Sequence, residues 1–128
     1  MRRFVPASPF VALAGIELVE LDDGHAELRL PYRDEVATMG TVVHGGAIAT
    51  LVDTAAMAAA WAGADVPDEL RGATVALTVT YLAPADGQDV TAVATVLRRG
   101  RRLTTVRVDA STPDGTAVAS GLVTYQLG

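Results

Sequence analysis

A chain of 128 residues and 13.2 kDa has room for one packed domain and not for two. Half of it is apolar and a fifth is charged, the balance of a globular protein rather than a disordered one. The net charge of −5 argues against a nucleic-acid partner, and the absence of cysteine removes disulfide scaffolds, thiolate metal sites and cysteine nucleophiles together.

Arg2 and Arg3 open the chain as a secretory leader would, but Pro6 and Pro9 interrupt the apolar stretch that follows. The longest apolar run, residues 45–64, is mostly alanine and carries Asp53. A bilayer span needs about 20 strongly apolar residues, so no membrane contact is expected and a cytoplasmic location is.

In chain order, Ser8, Pro9 and Gly15 frame a short helix over Ser8–Leu13: a capping residue, a proline suited to the first turn, and a terminator. Two strands are predicted next, Ile16–Leu21 and Ala26–Pro31, around the turn Asp22-Asp23-Gly24. A loop over 32–44 leads into one long helix, Gly45–Trp61, about 25 Å in length. That helix is apolar nearly all round, which predicts burial on every side. Beyond Gly72 the apolar period drops to two. Val75, Leu77, Val79 and Tyr81 share one face of a strand, with Thr78 and Thr80 on the other. Val90–Leu97, Leu103–Asp109 and Ala117–Gln126 read as three more strands joined by short turns, an antiparallel meander. The expected architecture is α+β: one domain over 1–128, with a single long buried helix wrapped by a curved antiparallel sheet of about six strands. Small apolar residues facing outward on those strands point to a subunit contact.

The chemistry concentrates in residues 43–55. Gly45 and Gly46 open the long helix, where bare backbone N–H groups and the positive end of the helix dipole suit an anion or a developing oxyanion. The same glycines also suit a tight turn with close packing. Asp53 is a lone carboxylate in an apolar helix. It is either a structural acceptor or a general base or nucleophile. Eight residues along one helix separate Gly45 from Asp53 by about 12 Å, too far for both to touch one carbonyl. If they serve one reaction, they come from different subunits of a two-fold dimer. Ser8, Ser111 and Ser120 occupy no nucleophile elbow, and no dinucleotide or phosphate-loop fingerprint is present.

His44-Gly45-Gly46, with Asp53 nine residues after the histidine in Leu51-Val52-Asp53-Thr54-Ala55, resembles the signature of the hotdog-fold acyl-CoA thioesterases, specifically the phenylacetate-degradation group. Residues 78–85 and 98–103 are similar to the strand, turn and hairpin that follow in that family, and the likeness runs from about Gly15 to Gly128. The resemblance implies Asp53 as base or nucleophile and the Gly45 N–H as the group polarising the thioester carbonyl. It places His44 at the loop and the thioester, and Thr74 where a hydroxyl orients water. Where the family usually has asparagine, six residues before the histidine, this chain has Thr38, and it has no asparagine anywhere. Gly46 belongs to the same substrate-binding loop. Met57 and Tyr81 either line an acyl pocket or belong to the core. Arg99 and Arg101 either meet the phosphates of coenzyme A or form a solvated turn.

The resemblance further implies no metal or redox cofactor, coenzyme A being part of the substrate, and a homo-oligomer: a dimer at least and a dimer of dimers. Two other functions fit the same fold, a non-catalytic acyl-CoA-binding or sensing module and a dehydratase pairing His44 with Asp53. Aromatic, medium-chain and hydroxylated acyl groups are all compatible. The acidic surface disfavours an acidic carrier protein in place of coenzyme A.

Overall fold

The computed structural model describes residues 2, 5, 8–65 and 71–128. Its elements are α1 (Pro9–Ala14), β1 (Glu17–Asp22), β2 (His25–Leu30), a single 3₁₀ turn (Asp34–Val36), α2 (Gly45–Trp61), β3 (Ala73–Tyr81), β4 (Val90–Arg99), β5 (Leu103–Ser111) and β6 (Ala117–Gln126). The strands form one six-stranded antiparallel sheet in the order β1-β2-β4-β5-β6-β3. The helix-in-sheet arrangement and the β4–β6 meander agree with the sequence pattern. Among the described residues no helix is long and apolar enough to cross a membrane.

Each boundary has a local cause. Gly15 ends α1 in the left-handed region at φ 79°, and its N–H returns to the carbonyls of Ala12 and Val11. Gly24 turns β1 into β2 at φ 65°, a conformation that favours glycine. Leu51, Val52, Ala55, Ala58 and Ala59 of α2 are fully buried against Leu28, Val90, Val106, Val108 and Val123 of the sheet. Alanine lets the helix lie close to the strands, and Gly121 on β6 opens a notch for it. A Cβ there would fall 2.7 Å from Val52 Cγ1. Trp61 closes the far end of α2, donating from Nε1 to the Tyr125 hydroxyl at 3.1 Å, with the rings edge to face.

Two expectations are corrected. First, α2 is not buried on all sides in the single chain. Gly46 is exposed, and Thr50, Asp53 and Met57, following it along one face of the helix, are only half-buried. Second, β3 does not alternate regularly from end to end. Leu77, Val79 and Tyr81 do share the helix-facing side, opposite Val123, Gly121 and Ala119. A bulge between Thr74 and Ala76 then shifts the phase, so Thr74 sits opposite the buried Tyr125. Without that bulge Thr74 would point away from the helix with Thr78 and Thr80.

Candidate active site

The bulge places the Thr74 hydroxyl beside α2, where it donates to Asp53 Oδ1 at 2.6 Å. A carboxylate in an alanine-rich helix thus has a partner on the sheet and, among the described residues, one oxygen left over. The pair opens into a cavity of about 270 Å³ lined also by Phe10, Met57, Gly72 and Tyr125. Met57 therefore joins Asp53 at the cavity wall. Tyr125 belongs to the same wall, and sequence patterning alone shows it only as one more inward residue of the last strand. Its hydroxyl accepts from Trp61, which leaves its own proton to donate. Burial pushes the phenol pKa up and the nearby Asp53 charge adds to that, against the opposing pull of the Trp61 bond.

The N-terminus of α2 forms the second half. His44 is the N-cap, and its Nδ1 accepts the Gly46 N–H at 2.8 Å. An imidazole that accepts at Nδ1 carries its proton on Nε2. The N–H groups of Ala47 and Ile48 both return to the His44 carbonyl, at 2.9 and 3.1 Å. Of the first four N–H groups of the helix, Gly45 alone has no acceptor among the described residues. The Tyr81 hydroxyl donates to the Gly45 carbonyl at 2.6 Å. Gly45 and Tyr81 line one cavity of about 330 Å³, while His44 and Gly46 line another of about 450 Å³ with Phe10, Leu13 and Val36.

In one chain, then, the expected site residues fall into three cavities: Asp53, Thr74 and Met57 in one, Gly45 and Tyr81 in a second, His44 and Gly46 in a third. Three expected substrate contacts have other surroundings. Thr38 is exposed, lines none of these cavities, and donates its N–H to the Val42 carbonyl at 2.8 Å. Arg99 turns back onto the C-terminus of α2, with Nη1 donating to the Ala60 carbonyl and Nη2 to that of Ala62, both at 2.6 Å. Arg101 is exposed in the β4–β5 turn. A hydroxyl-supported carboxylate can take a proton from water, and an N–H at a helix N-terminus with no acceptor among the described residues can donate to an oxyanion.

Residues 40–119 match the Thioesterase superfamily. The chain belongs to that family. Membership makes it a thioester hydrolase. This thioesterase is 34% identical over 122 residues to a putative esterase of Halobacterium salinarum, covering 93% of this chain and 80% of that protein. It is 30% identical over 141 residues to the medium/long-chain acyl-CoA thioesterase YigI of Salmonella typhimurium, covering 98% and 89%. The PaaI protein of the Escherichia coli phenylacetic acid degradation operon superposes with a TM-score of 0.87 at 20% identity, over 98% of this chain and 88% of that one. The thioesterase shares that protein's hotdog fold.

Proposed function

We propose that the chain hydrolyses acyl-CoA thioesters to free acid and coenzyme A, in a site shared between two copies of itself. Water held by Asp53 and Thr74 attacks the thioester carbonyl carbon, and Asp53 takes its proton. The carbonyl oxygen gathers negative charge against the Gly45 N–H and the positive end of α2. The carbon–sulfur bond then breaks, and the proton passes to the departing thiolate. The chain's own residues suffice for this route, and coenzyme A enters only as part of the substrate. The relative named as an acyl-CoA thioesterase supports that substrate class.

One observation carries the shared site. Thr74, which holds Asp53, and Tyr81, which holds Gly45, stand near opposite ends of β3. A two-fold axis through the middle of an antiparallel pair of β3 strands would bring Thr74 of one copy beside Thr80 and Tyr81 of the other, and so bring Asp53 toward the second copy's Gly45. The strand is suited to such pairing. It is the outer strand of the sheet, nine residues long and without a charge, with Val75 and Leu77 exposed at 55% and 40%. The opposite edge, β1, is six residues long and carries Glu17, Glu20 and Asp22, charges that discourage pairing.

The test is thiol release from acyl-CoA by Asp53→Asn, by Gly45→Pro and by the two mixed after dissociation and reassociation. Each variant alone should lose at least about a hundredfold in kcat. The mixture should recover roughly a quarter of wild-type activity, because half the dimers are mixed and each mixed dimer keeps one intact site of two. No recovery from demonstrably mixed dimers would place the whole site in one chain and end the proposal.

A further inference from the structure

We infer that Tyr81 is a positioning residue for the carbonyl-polarising N–H, acting through the peptide plane that joins Gly45 to Gly46. This rests on the thioesterase reading above and adds a residue to it. The plane belongs to two glycines, so no side chain of its own seats it, and glycine has the widest backbone freedom of any residue. Both of its polar ends are nevertheless held. Its carbonyl accepts from the Tyr81 hydroxyl at 2.6 Å, and its N–H donates to His44 Nδ1 at 2.8 Å. One residue earlier, the His44 N–H donates to the Val36 carbonyl at 2.8 Å. The Gly45 N–H lies between these fixed points, so its direction is set from both sides while it has no acceptor of its own among the described residues.

The ring adds a second constraint. A Cβ at Gly45 would lie 3.4 Å from Tyr81 Cζ, so the phenol covers that side of Gly45 at van der Waals distance. Tyr81 also ends β3, the strand whose other end holds Asp53 through Thr74. One sheet strand thereby references both the donor and the base to the same scaffold. A donor that must meet a developing oxyanion tolerates little displacement, since an error of about 1 Å costs about a hundredfold.

Tyr81→Phe removes the hydroxyl and keeps the ring. The ring that packs on Gly45 is kept, so the fold should tolerate the change, with Tm moving by less than about 2 °C. Measured with acyl-CoA, kcat should fall about tenfold while KM stays within about twofold, the pattern of a lost transition-state interaction. The amide resonances of Gly45 and Gly46 should shift, and those of the C-terminal half of α2 should not. Tyr81→Leu, which removes ring and hydroxyl, should lose at least as much kcat. An active wild type with an equally active Tyr81→Phe overturns this inference alone. A loss confined to KM also overturns it, making Tyr81 a substrate contact. A wild type that releases no thiol from any acyl-CoA overturns the thioesterase reading and the inference together.

Discussion

The two ends of α2 are finished in opposite ways. At the C-terminus the last carbonyls are occupied. Arg99 reaches over from β4 to those of Ala60 and Ala62, and the Gly24 N–H adds a second bond to Ala62 at 2.9 Å. A cation there also complements the negative end of the helix dipole. At the N-terminus the cap closes three of the first four donors and, among the described residues, leaves Gly45 open. The same chain can satisfy a helix end with side chains from another element, so the open donor at Gly45 is a feature of that end and not a general looseness. On the function proposed above one end serves chemistry and the other stability, so substitutions at each should separate the two properties.

The largest separation is expected at Gly45. Proline is favoured at the first helical position, and its missing N–H is the only polar group the exchange deletes. His44 precedes it with ψ 133°, the extended conformation that a following proline requires. Gly45→Pro should therefore fold, and lose about 10²–10³-fold in kcat. Gly45→Ala keeps the N–H but places a methyl 3.4 Å from the Tyr81 ring, so its loss should stay below about tenfold. Equal losses in the two variants would trace the effect to crowding and remove the special status of the open donor.

His44 comes next, because it lies on both sides of the comparison. His44→Ala removes the cap, which costs about 1 kcal/mol, read as a Tm lowered by roughly 3–5 °C, and it frees the Gly46 N–H. Serine is a strong N-cap, so His44→Ser should restore the Tm. If the imidazole only caps, serine restores kcat as well. A Tm that recovers while kcat remains low by about tenfold assigns the Nε2 side of the ring to the thioester.

Much of this was legible from the sequence, for physical reasons that differ by residue. Gly45–Trp61 is marked by its two opening glycines and fifteen further positions free of proline, and its observed bounds coincide with the predicted ones. The β4–β6 meander follows from alternation and tight turns. The family resemblance gives Thr74 as a hydroxyl that orients water, but its contact with Asp53 is not legible, because simple alternation sends Thr74 to the other face. A bulge is set by how two strands register, and no single strand's pattern reveals it. Tyr125 escaped notice as a site residue for a related reason: its approach to Asp53 depends on β6 lying next to β3, strands far apart in the sequence. The half-exposed stripe of Gly46, Thr50, Asp53 and Met57 is legible only in part: Thr50 and Asp53, three residues apart, break the apolar pattern on one face, but Gly46 and Met57 register as apolar whether a helix face is covered by its own sheet or left for a second copy.

Arg99 gives the smallest and most discriminating effect. Four arginines around Gly100 read equally as a solvated turn or as contacts to phosphate, and only the fold shows one of them bent back onto a helix terminus. Arg99→Ala removes charge-assisted bonds that are partly screened by solvent, so the cost should be about 1 kcal/mol, a Tm lower by roughly 3–5 °C. The N-terminal half of the site is at the other end of a 17-residue helix, about 25 Å away. Hence kcat and KM for acyl-CoA should stay within about twofold of wild type at temperatures well below the transition. A KM raised severalfold at unchanged Tm would reverse the assignment, making Arg99 a phosphate contact and leaving the closed end of α2 closed for some other reason.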